Sequence, residues 1–158
     1  MHIRDARAED FPACLPLFWQ LWPALKPRGD QDRTIVDGMR TVFCDLLEDS
    51  NARILLAEED GAVGVVGLLD LTFRRTLFHR GWAMIIEDLI VNETHRREGI
   101  ARQLVEYAEQ VARERGCRAI ELSSDLHRQG THQFWEALGY DPCAYQFRKE
   151  LIRQTGAD

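Results

Sequence analysis

A chain of 158 residues with 45% hydrophobic and 29% charged positions has the size and composition of one globular domain, which excludes an intrinsically disordered tract. No apolar run approaches the ~20 residues that cross a bilayer, and Met1-His2-Ile3-Arg4-Asp5 lacks the cationic and then apolar pattern of a secretory leader, so a cytoplasmic protein without membrane contact is expected. The net charge of −6 argues against a nucleic-acid partner, which needs a basic field, and mildly favours a cationic one.

Ile3 to Arg7 reads as a first strand. The helix after it opens near Glu9 and Asp10 and repeats Phe11, Leu15, Phe18 and Trp22 at helical spacing. Pro16 has no N–H to give, so a kink or a late start is expected there. The stretch from Trp22 to Asp30 is rich in Pro and Gly but too short to separate domains. A second helix, capped by Asp32, carries Ile35, Met39, Val42, Phe43, Leu46 and Leu47 on one face.

The period then changes from helix to strand. Arg53 to Glu58 and Val63 to Phe73 read as strands joined by a tight turn at Asp60-Gly61. A third strand runs from Trp82 to Val91 and holds two acids, Glu87 and Asp88, among apolar neighbours. Past a polar turn, Ile100, Leu104, Val105, Ala108, Val111 and Ala112 mark one side of a helix that Gly116 is placed to end. Arg118 to Ser123 is another strand, Gln129 to Leu138 a short helix stopped by Gly139, and Tyr145 to Leu151 a final strand. This order predicts a single domain over residues 1–158, an α/β (α+β) fold with a mixed sheet of about six or seven strands and about four helices.

Cys14, Cys44, Cys117 and Cys143 lie far apart with no CxxC pair. They predict no zinc or redox site and no disulfide framework, and are read as buried reduced thiols. The histidines do not pair at metal-ligand spacing, so no metal is expected.

Chemistry concentrates where Leu89-Ile90-Val91 runs through Asn92-Glu93-Thr94-His95 into Arg96-Arg97-Glu98-Gly99-Ile100-Ala101. A buried strand there feeds a helix whose first turn is Arg-x-x-Gly-x-Ala. Helix starts present unpaired amides and the positive end of the helix dipole, and small residues leave room for a phosphate. No Gly-Lys-Ser/Thr follows, so this is no nucleotide P-loop, and a single glycine is no dinucleotide fingerprint.

With the preceding strand Ile86 to Val91 and with Thr131-His132-Gln133-Phe134-Trp135-Glu136-Ala137-Leu138-Gly139-Tyr140, this turn resembles the GNAT superfamily of acetyl-CoA-dependent N-acetyltransferases. The resemblance implies the GNAT fold, with a splayed parallel strand pair, and acetyl-CoA as co-substrate. It implies that Arg96, Arg97, Glu98, Gly99, Ile100, Ala101 and Arg102 receive the pyrophosphate of coenzyme A. Backbone groups of Leu89, Ile90 and Val91 would take the pantetheine arm as an added strand, and Phe134 would lie by the cofactor. The implied reaction is direct attack of a primary amine, held by the Trp19, Trp22 and Trp22–Asp30 region, on the thioester. The last strand would offer an edge for a homodimer.

That attack needs a neutral amine and hence a base. Strand alternation sets Glu87 on the face of Leu89 and Val91, where burial would raise its pKa. Glu87 is therefore the candidate base, the alternative being that it or Asp88 pairs with Arg74, Arg75 or Arg80. The family often draws a general acid from a Phe-Tyr pair in the last helix. Trp135 takes that place here, and an indole N–H is no acid near neutral pH. Tyr140 is the remaining tyrosine candidate. The missing tyrosine leaves a rival open, an acyl-CoA-binding regulatory module of little or no activity. A protein or peptide acetyltransferase is a further alternative.

Overall fold

The computed structural model describes residues 1–27, 33–59 and 64–151. Five strands, β1 (His2–Asp5), β2 (Ala52–Glu58), β3 (Val65–Thr76), β4 (Gly81–Val91) and β5 (Cys117–Leu122), form one sheet in the order β1-β2-β3-β4-β5. The first three pairings are antiparallel, and β5 runs parallel to β4. β3 and β4 stay paired from Gly67↔Val91 to Thr76↔Gly81, whereas β5 adjoins β4 only briefly, so the parallel pair is splayed. The helices are α1 (Phe11–Leu21), α2 (Arg33–Glu48), α3 (Ile100–Glu114) and α4 (Gln129–Ala137). The chain divides into two compact units, one over Met1–Glu121 and one from Leu122 onward.

The apolar patterns explain which helix takes which face of the sheet. Ile54, Leu56, Leu68 and Ile90 point to one side, where Phe11, Cys14, Leu17, Phe18 and Leu21 of α1 and Phe43 of α2 bury against them. α1 continues past Pro16 as a single helix of 11 residues, although proline removes a donor there. On the opposite face lies α3, whose expected apolar side is fully buried from Ile100 to Ala112 and which ends at Gly116 with φ +74°. α2 behaves differently. Of its expected face only Phe43 is buried, Met39, Leu46 and Leu47 are part-buried, and Val42 is 57% exposed.

Two expectations fail. Tyr145 to Leu151 is not a strand. No strand follows β5 among the described residues, and Tyr145, Phe147 and Leu151 stand 78%, 93% and 88% exposed. Alternation there has the right period, but no ladder partner is present to satisfy the backbone. The described strands therefore number five rather than six or seven. Nor are all cysteines buried: Cys14 is, Cys44 and Cys117 are intermediate, and Cys143 is exposed on that same irregular segment. The Asp60-Gly61 turn and the Asp32 cap lie outside the described residues.

Gly67 sets how closely α3 approaches the sheet. A Cβ on it would stand 3.1 Å from Ile100 Cγ2, 3.1 Å from Leu104 Cδ1 and 3.4 Å from Ala57 Cβ. Because Ile100 opens α3, this contact also fixes the turn that follows β4. Gly67→Val is expected to cost about 1–3 kcal/mol in urea unfolding by overpacking, while Gly38→Ala, where nothing lies within 4 Å, should cost nothing measurable.

Candidate active site

β4 delivers its C-terminal end to the start of α3 through a fastened turn. Asn92 N–H donates to the Val66 carbonyl at 2.8 Å, and the Asn92 side chain accepts from Thr94 N–H at 3.2 Å. Gln20 of α1 reaches across to accept from Glu93 N–H at 2.9 Å, tying the first helix to this turn. Arg97 (φ +67°) and Gly99 (φ +83°) both adopt the left-handed conformation. Arg96, Arg97, Glu98 and Gly99 are exposed, and Ala101 is part-buried. Gln103 N–H is bonded to the Gly99 carbonyl at 3.1 Å, so the amides of Ile100, Ala101 and Arg102 precede the first intrahelical bond and are free for an anion. A Cβ on Gly99 would meet nothing nearer than Gln103 Nε2 at 4.0 Å, so the space in front of the turn is open. The shape and donor set suit a pyrophosphate. Ile90 and Val91 are buried and Leu89 is part-buried.

Behind this turn the strand pairing slips. Asp70 pairs with Asp88, yet the next residue, Leu71, pairs with Ile86, which leaves Glu87 as an extra residue in β4. The bulge breaks the alternation that would set Glu87 beside Leu89 and Val91. Its carboxylate accepts from the Thr72 hydroxyl at 2.7 Å, and Thr72 shares its face of β3 with Leu68 and Asp70. Glu87 therefore lies toward the α1 and α2 face, and it is exposed rather than buried. Two of the expected arginine partners are engaged elsewhere: Arg74 pairs with Glu121, which also takes His79 at 2.8 Å, and the Arg75 guanidinium sits over the Trp82 ring.

On that face α2 roofs a cavity of about 340 Å³. Phe18 and Trp22 form one wall, their rings stacked 5.5 Å apart, and Met39, Phe43 and Leu46 line the underside of α2. The floor is Ile54, Leu68 and the facing pair Asp70 and Asp88. This roof explains the half-buried face of α2, since its apolar side chains look into open space. Trp22 lines the cavity as expected, while Trp19 packs against the α1 core instead.

Asp70 is the residue that sequence reasoning missed. In Leu68-Leu69-Asp70-Leu71 it reads as one polar interruption of a strand, and only the register puts a second acid opposite it. Its Oδ1 is buried with no hydrogen-bond partner among the described residues. Burial, then the charges of Asp88 and Glu87, push its pKa up from 3.8 to about 7, against the Leu71 amide, which lowers it.

The remaining candidates belong to the second unit. Phe134 and Tyr140 are part-buried, and each ring packs edge-on 5.1 Å from that of buried Trp135. Tyr140 N–H donates to the Trp135 carbonyl at 3.0 Å, and the His132 ring bonds the Asp125 carbonyl at 2.9 Å.

The raised pKa of Asp70 makes its contribution to stability pH-dependent. Below 3.8 the acid is protonated folded or unfolded; as pH rises toward 7 the unfolded chain ionises while the folded protein still holds the proton. Stability present at low pH is thus lost as pH rises through about 7. Asp70→Asn should gain on wild type by about 1–3 kcal/mol between pH 5 and pH 8 in urea melts.

Comparisons with known proteins agree with this geometry. The family model described as "Acetyltransferase (GNAT) family" matches residues 11–140. The aminoalkylphosphonate N-acetyltransferase of Salmonella typhimurium is 32% identical over 94% of this chain and 90% of its own length. A putative acetyltransferase from Agrobacterium tumefaciens superposes with a TM-score of 0.80 at 25% identity, over 98% of this chain and 100% of that one. A crystal structure titled as a transcriptional regulator from Bacillus halodurans reaches 0.78 at 26% identity, over 95% and 99%. With the strand order, the splayed pair and the glycine turn at α3, these matches establish that the chain belongs to the GNAT family of acetyltransferases and is an acyltransferase.

Proposed function

We propose that this protein transfers the acetyl group of acetyl-CoA to the primary amine of a small molecule, by direct attack of the amine nitrogen on the thioester. The observation that carries the reading is the open turn at residues 96–102, with Gly99 in a left-handed conformation and free first-turn amides at the end of β4. Those amides, with the flanking Arg96, Arg97 and Arg102, would hold the pyrophosphate. Leu89, Ile90 and Val91 would offer backbone groups to the pantetheine arm where β5 diverges. The bound acetyl thioester supplies the activated acyl group. A cavity of about 340 Å³ suits a small acceptor better than a protein chain.

Glu87 is the group proposed to take the amine proton, directly or through one water. Thr72 holds its carboxylate at 2.7 Å, it is solvent-accessible, and bulges recur next to active sites. Tyr140, edge-on to Trp135, stays the remaining tyrosine candidate for a general acid, and Tyr140→Phe is expected to be nearly silent if no such acid is used. The relative from Salmonella typhimurium is named for an aminoalkylphosphonate acceptor; what carries over here is the amine.

The second reading, a cofactor-binding regulator, draws on Trp135 in place of the usual tyrosine and on the neighbour titled as a regulator. Thiol release from acetyl-CoA across a panel of amines separates the two: release that depends on the amine supports the enzyme, and tight acetyl-CoA binding without release under any amine overturns it.

Two variants probe the parts. Gly99→Val is expected to lower acetyl-CoA affinity more than tenfold by calorimetry, with an unchanged circular dichroism spectrum, because a branched side chain strains the left-handed turn and crowds the anion. Glu87→Gln should lower kcat by ~10²–10⁴ with little change in acetyl-CoA binding. The deficit should shrink as pH rises and more amine arrives neutral, and parallel pH–rate profiles of similar height would remove Glu87 from the role.

A further inference from the structure

We infer that His95 is a positioning residue of the cofactor turn: bracketed between Thr94 and Glu59, it holds residues 96–99 in the shape that receives the pyrophosphate. This rests on the acetyltransferase reading and deepens it by naming what keeps that turn ready. The turn is strained. Arg97 sits at φ +67°, a left-handed conformation that costs a bulky residue free energy and persists only where the surroundings impose it. After the turn, buried Ile100 supplies one fixed end, closing the space in front of Gly67. The other end needs a hold as well, and residues 96–99 are all exposed, so packing does not provide it.

The His95 ring provides it through both of its nitrogens. Nδ1 lies 2.8 Å from Thr94 Oγ1, and Nε2 lies 3.5 Å from Glu59 Oε2. Thr94 gives its hydroxyl hydrogen to Asn92 Oδ1 at 3.0 Å, which leaves the Thr94 oxygen to accept from the ring. An imidazole that carries hydrogen on both nitrogens donates to Thr94 and to Glu59 together. Asn92 is bonded in turn to the Val66 carbonyl on β3, and Glu59 directly follows β2. The bracket thus ties the residue before Arg96 to two strands of the sheet. Glu59 is otherwise ill placed. It shares a hollow with Glu98 and Ile100 at the start of α3, where a carboxylate with no other task would only repel an anionic cofactor. Anchoring the ring is the task that fits it.

Calorimetric titration with coenzyme A at fixed pH, beside urea melts of each variant, tests the inference. Glu59→Ala is the decisive change, because charge and positioning act on it with opposite signs. If charge alone mattered, loss of a carboxylate near an anion site would tighten binding. The inference expects affinity to fall about two- to fivefold, the size of an exposed ion pair, with an unchanged urea midpoint. His95→Ala should lower it about five- to tenfold, since the bond to Thr94 goes too. The double variant should lose no more than His95→Ala alone, because Glu59 acts through the ring. His95→Gln, whose amide still donates toward Glu59, should recover part of the loss. Arg113→Ala, which breaks an exposed pair with Glu109 near the far end of α3, should leave the affinity unchanged. Should His95→Ala fail to fold, Glu59→Ala at its exposed site decides alone. Unchanged or tighter binding in Glu59→Ala, or losses that add in the double variant, overturns the inference and leaves the acetyltransferase reading standing. A wild-type protein that does not bind coenzyme A overturns that reading itself, and the inference with it.

Discussion

One extra residue in β4 decides toward which face of the sheet Glu87 turns. Asp70 and Asp88 face α1 and α2 in register with Leu68 and Ile90, whereas without the slip between Asp70 and Leu71 Glu87 would follow the alternation of its strand toward α3. With the slip, Glu87, Asp88 and Asp70 gather on the same face, one bonded to Thr72 and two opposed across the pairing. A bulge costs part of the ladder and bends the strand.

The two faces of the sheet answer to different demands. Against α3 the packing is closed. The helix buries six residues from Ile100 to Ala112, and Gly67 lets its backbone come near. Against α2 the packing is held open, and one fully buried residue, Phe43, anchors a helix that otherwise spans a void. α1 joins the two regimes, since Phe18 and Trp22 wall the void while Gln20 clasps the turn that leads into α3. A closed packing beside the glycine turn and a looser apolar cavity thus lie on opposite faces of a common sheet.

Much of this was legible in the chain. The 3.6-residue period of α3 named every residue it buries, and Gly99, Gly116 and Gly139 each mark a left-handed position at a helix boundary. These features are local, so one segment contains all their information. The bulge is not local: whether Glu87 counts in the pairing depends on β3, and no pattern within Ile86 to Val91 records it. For the same reason Asp70 passed as a lone polar residue, although an acid in a strand as apolar as Val65 to Phe73 is itself a signal to look for a partner. Tyr145 to Leu151 shows the reverse case. Its apolar residues Tyr145, Phe147 and Leu151 fall two or four apart, but spacing alone does not supply the neighbouring strand that a ladder needs.

The contact at Gly67 has a consequence for how such a sequence can drift. Three side chains, Ala57, Ile100 and Leu104, close around the space where a Cβ would stand. A lineage that replaces this glycine must first, or at once, shorten Ile100 or Leu104, and Ile100 is the residue on which the turn after β4 comes to rest. Position 67 and the first turn of α3 are therefore expected to vary together or not at all, so that a residue in the middle of a buried strand restricts what the exposed glycine turn can become.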